Sequence, residues 1–76
     1  MRLQEIVIEV SGMSSPDAER AVAAALGAVP GVRAVRVEAN ERRAVVTGDP
    51  DIAAPEALSE AIRNAGCIAG DVWFAE

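Results

Sequence analysis

Near the N-terminus, Ile6, Ile8 and Val10 alternate with Glu5 and Glu9, and the stretch LQEIVIEV (3–10) is rich in β-branched side chains. That spacing predicts a strand with one face buried, with Val7 breaking the alternation. Ser11-Gly12 ends it. In SPDAERAVAAALGAV (15–29) the period changes: Val22, Ala25, Leu26 and Val29 fall at i, i+3, i+4 and i+7, the stripe of a helix packed on a core. Ser15 before Pro16 fits an N-cap followed by proline at the first helical position. Asp17 and Glu19 put negative charge in the first turn, where the helix dipole favours it. Pro30-Gly31 stops the helix.

VRAVRVEA (32–39) predicts a second strand, with Val35, Val37 and Ala39 on one face and Arg36 and Glu38 on the other. NERR (40–43) is a short turn, and AVVTG (44–48) a third strand. So short a link implies an antiparallel hairpin. After the loop DPDIAAP, the stretch PEALSEAIRNAG (55–66) repeats the helical stripe at Leu58, Ala61, Ile62 and Ala65. Its cap position is Ala54, which offers no side-chain acceptor, so Pro55 and Glu56 carry the start signal. Gly66 fits the residue after the helix, where a left-handed conformation is common. A short strand is expected around 72–74. Trp73 and Phe74 would then point to opposite faces, one to plug the core and the other exposed or over the open face of the sheet.

The element order is β-α-β-β-α-β. With right-handed crossovers it gives an α+β, ferredoxin-like βαββαβ sandwich: a four-stranded antiparallel sheet with two helices on one face. Seventy-six residues hold one domain, 1–76. Many unrelated functions use this fold, so function has to come from a site.

Composition narrows the choices. The chain has no His, Tyr or Lys, and no nucleophile–base pair is visible, so an enzyme is not expected. Net charge is −5 with arginine as the only cation, which argues against a nucleic-acid backbone as partner and suits docking to a basic protein. Arg42 and Arg43 make a small basic spot, expected to be a solvated turn. No apolar run approaches the roughly 20 residues that span a bilayer, and residues 1–10 lack a signal-peptide pattern. One cysteine, Cys67, allows no intrachain disulfide. These features together point to a cytoplasmic domain, free or part of a longer protein.

Several segments, in order, carry a resemblance: VSGM at the first strand end, PGV followed by VRVE, AVVTGDP, and PEALSEAIRNAG. Over nearly its whole length the chain resembles the heavy-metal-associated domain of copper chaperones and of P-type metal ATPases. The resemblance implies a Gly-Met-x-Cys-x-x-Cys loop after the first strand, whose two thiolates bind Cu(I) or another soft ion and pass it to a partner. Gly12 and Met13 match that motif, and Ser14 fills the variable place. Ser15 stands where the first cysteine is expected and Ala18 where the second is, with Pro16 and Asp17 between them. A hydroxyl does not replace a thiolate for a soft ion, and alanine offers no donor. A single deliberate replacement type would not yield Ser with Ala, which favours natural divergence.

The resemblance therefore implies the fold without the ligands. A non-catalytic docking or regulatory module follows, with a P-type metal ATPase or other metal-handling protein as partner and no cofactor expected. The alternative is an atypical soft-metal site in which Cys67, aided by Met13, binds Cu(I) weakly, since the fold should bring Cys67 near Met13 and Ser15. Against it, Met13 reads as a core gap-filler and Cys67 as a small buried hydrophobe. A third reading is an amino-acid-sensing, ACT-type ligand domain, which the GM turn and PGV spacing fit less well.

Overall fold

The computed structural model describes residues 3–75. Its elements are β1 (Gln4–Ser11), α1 (Pro16–Gly27), β2 (Val32–Glu38), β3 (Arg43–Gly48), α2 (Pro55–Asn64) and β4 (Ile68–Phe74). The strands lie in the order β2-β3-β1-β4, each neighbour antiparallel, as the ferredoxin-like topology requires.

The alternation of β1 sets the layering. Ile6, Ile8 and Val10 are fully buried, and Ile6 and Ile8 stand opposite Val46 and Ala44 of β3. Against them lie Val22 and Leu26 of α1 and Leu58 and Ile62 of α2, all buried in one core. Burial of each such aliphatic side chain contributes about 1.5–3 kcal/mol. Val7 does not break the strand: it lies on the helix-free face, opposite Val45 of β3 and Trp73 of β4. Both valines are buried there, at 7% and 6% exposure, although no helix covers them.

Close backbone contact ties the loops together. A Cβ on Gly48 would lie 2.7 Å from the Gly31 carbonyl oxygen, and Gly31 itself sits at φ +90 against Ile52. The Asp49 amide donates to Gly31 O at 3.0 Å, and its side chain accepts from the Asp51 amide, closing the loop before α2.

Three expectations need correction. β4 runs from Ile68, four residues earlier than the strand expected around 72–74, because β1 offers it a pairing edge as far as Ser11. Neither Trp73 nor Phe74 plugs the core: each is 44% exposed, since β4 is an edge strand and the core is already filled by aliphatic residues. Ala39 leaves β2 and starts a short 3-10 turn, Ala39–Glu41, that ends at Arg42 in the left-handed region. Arg43 then opens β3 and bonds Glu38 rather than standing in a solvated turn.

Candidate metal-loop site

The segment between β1 and α1 begins at Gly12, whose φ of +94 suits glycine and turns the chain out of the sheet. The Ser14 amide donates back to Gly12 O at 2.9 Å, tightening the bend. Met13 is half-buried and packs against the core, as its reading as a gap-filler expects. Ser15 is extended (φ −150, ψ 159), and its Oγ accepts from the Ala18 amide at 3.2 Å. It is the N-cap. Pro16 takes the first helical position, and Asp17 pairs loosely with Arg20 at 4.0 Å, both largely exposed.

The two positions where the resemblance expects thiolates are thus joined to each other, as cap acceptor and capped amide. Ala18 contributes only its backbone. Neither Ser15 nor Ala18 supplies a soft donor.

Cys67 comes close to Gly12, at the start of the loop, rather than being placed against Met13 and Ser15: a Cβ built on Gly12 would stand 3.8 Å from its Cα. Its setting is nonetheless that of a packing residue. α2 ends in a Schellman motif, with Gly66 at φ +88, the Gly66 amide on Arg63 O at 3.0 Å and the Cys67 amide on Ile62 O at 3.2 Å. Cys67 is the residue whose side chain folds back on the helix in that motif, and it is 6% exposed within the core that holds Ile62. Among the described residues no three His, Cys, Asp or Glu side chains cluster to hold a metal ion.

A shallow cleft of about 290 Å³ opens beside the loop, lined by residues 10–14 and by Ala39 and Arg42. Arg42, at φ 54, is the non-glycine residue of positive φ among those described, and its carbonyl accepts from the Val10 amide at 2.9 Å. The basic turn expected from the sequence therefore lies beside the loop. Nothing in NERR announces this, since an arginine is not the residue that a left-handed position favours. Cys67 does not line the cleft. On the open face of the sheet, the Arg43 guanidinium bonded to Glu38 holds that carboxyl below its ordinary range; partial burial opposes the shift and Arg36 adds to it.

A model of the heavy-metal-associated domain matches residues 7–67. The chain belongs to the heavy-metal-associated domain family. Copper-transporting ATPase 1 of Rattus norvegicus is 30% identical over 63 residues, 83% of this chain but 4% of that protein, so the likeness is to a module and not to the whole transporter. A copper binding domain from HMA7, a P-type ATPase, is 30% identical, with a TM-score of 0.82 over 96% of this chain and 95% of that one. Oxidised MerP from Ralstonia metallidurans CH34 is 28% identical, with a TM-score of 0.84 over 99% and 100%. This heavy-metal-associated domain is therefore related to copper-trafficking modules, and family membership takes the place of the ACT-type reading. Among the described residues no helix is long and apolar enough to cross a membrane.

Proposed function

We propose that this heavy-metal-associated domain is a non-catalytic docking or regulatory module that has given up thiolate ligation at its loop. One observation carries the reading: Ser15 Oγ is engaged by the Ala18 amide, so the two expected ligand positions form a helix cap. The retained frame at Gly12 and Met13 keeps the loop's shape and its place on the surface. Its relatives suggest a P-type metal ATPase or another metal-handling protein as partner, met in the cytoplasm through protein contacts.

A second reading rests on Cys67 lying beside Gly12. A thiolate released from the core there, with Met13 near it, would bind one soft ion weakly or share it with a second chain. Buried packing at Cys67 favours the first reading.

Competition against a chromogenic Cu(I) chelator separates the two. The docking reading expects no Cu(I) withdrawn from the chelator by the native chain or by Cys67→Ser. A stoichiometric uptake that Cys67→Ser abolishes would replace it with the second reading.

A further inference from the structure

The sheet has two free edges, and they differ. β2 carries Arg33, Arg36 and Glu38, and none of the large exposed apolar side chains falls on it. Charge of this kind commonly protects an unpaired strand. β4, at the other edge, carries Ile68 at 68% exposure together with Trp73 and Phe74, and its one charged residue is Asp71.

The middle of β4 is a bulge. Val72 stands opposite Ile8 and Ala69 opposite Val10, so Gly70 and Asp71 share the single partner Glu9. The extra residue has a consequence for the surface. Ile68, opposite Ser11, and Trp73, opposite Val7, come to lie on the same helix-free face, with Glu9 in the row between them. The Asp71 amide donates to Glu9 Oε1 at 3.2 Å, which draws the Glu9 side chain over the bulge. Gly70 leaves it room, since a Cβ there would stand 3.0 Å from Glu9 Cβ. The salt bridges found among the described residues engage Asp17 and Glu38, not Glu9 or Asp71.

We propose that the outer edge of β4 receives an extended segment of a partner protein as a fifth strand. The segment sets a central arginine or lysine against Glu9 and Asp71, and an apolar side chain on either side against Ile68 and Trp73. Main-chain hydrogen bonds to the free edge supply affinity, and alternate side chains supply selectivity. The spacing follows from the geometry: in a regular strand the apolar, basic and apolar residues fall at i, i+2 and i+4 on one face. A second copy of β4 fits less well, because symmetric pairing brings the Glu9 and Asp71 carboxylates of both chains together, and like charges opposed across strands destabilise. The net charge of −5 favours a cationic partner in the same sense.

The test uses the blocked peptide Thr-Val-Thr-Arg-Thr-Val-Thr and a twin with glutamate in place of arginine. Trp73 is the single tryptophan, so its emission reports from within the site. The expected result is a saturable emission change with amide shifts along 68–74, about tenfold weaker for the glutamate twin. The exposed substitution Ile68→Asp should weaken binding by a similar factor without unfolding the chain. Three results would overturn the proposal: no saturable change up to millimolar peptide, shifts confined to 11–15, or β4 shifts that follow protein concentration with no peptide present. The last would make a second copy the occupant. None of these readouts involves a metal, so failure here leaves the docking reading of the loop standing, and failure of that reading leaves this one.

Discussion

Cysteines placed at Ser15 and Ala18 would test whether the loop lost only its ligands or also its shape. In the metal-free state the change removes one cap hydrogen bond, Ser15 Oγ to the Ala18 amide at 3.2 Å. Caps of this type contribute about 0.5–2 kcal/mol, and exposure of Ser15 puts this one toward the lower half, about 1 kcal/mol. For a domain of this size unfolding entropy is about 0.16 kcal/mol per kelvin, so the apo variant should melt about 6 °C below the native chain. Cu(I) should reverse the loss. Ligand at a hundredfold excess over its dissociation constant stabilises by about 2.7 kcal/mol, a rise of about 17 °C. The assay is a pair of thermal melts by circular dichroism, with and without Cu(I) held by a weak chelator. The native chain should not shift. If the double-cysteine variant takes up no Cu(I), the frame held by Gly12 and Met13 is not that of a metal loop. If the native chain itself shifts, the docking reading gives way to the Cys67 soft-metal reading, provided that Cys67→Ser abolishes the shift.

Ser15→Ala alone should lower stability by about 0.5–1 kcal/mol, read from urea midpoints with an unchanged slope. Gly31→Ala should cost more than about 2 kcal/mol, because the residue sits at φ +90 and a Cβ would meet Ile52 at 2.8 Å; the same denaturation experiment checks it. Gly27→Ala should instead stabilise by about 0.5–1 kcal/mol, since α1 leaves open space around that Cβ. The Glu38 carboxyl is lowered by Arg43 and Arg36, so its contribution is present at neutral pH and is lost as pH falls through and below the ordinary carboxylate range. Glu38→Gln should therefore flatten part of the acid limb of melting temperature against pH, and an unaltered limb would show that the ion pair is without consequence.

Much of the architecture was legible in residue order. The period of two in β1 and the period near 3.6 in α1 and α2 each mark a buried face: of the residues the stripes name, Ile6, Ile8, Val10, Val22, Leu26, Leu58 and Ile62 are fully buried, and Ala25, Val29, Ala61 and Ala65 partly so. The caps were legible too, since Ser15-Pro16 and Gly66 act through local backbone geometry. β4 was legible only at its end, because IAGDVWF contains a bulge that breaks the period of two. The candidate loop was located through Gly12 and Met13, whereas its contact with Arg42 was not, as that contact depends on where the β2–β3 turn comes to rest.

The sequence by itself determined the element order, the composition of the core and the missing donors at 15 and 18, because each depends on residues close together in the chain. Only the tertiary structure decided the rest. It placed Cys67 beside Gly12, some fifty residues away in sequence, and turned its side chain into the core through the Schellman bend at Gly66. It also put β4 at an edge, with Ile68 and Trp73 on one face. Strand neighbours and register are set by which surfaces the helices bury together, and no local pattern encodes that balance.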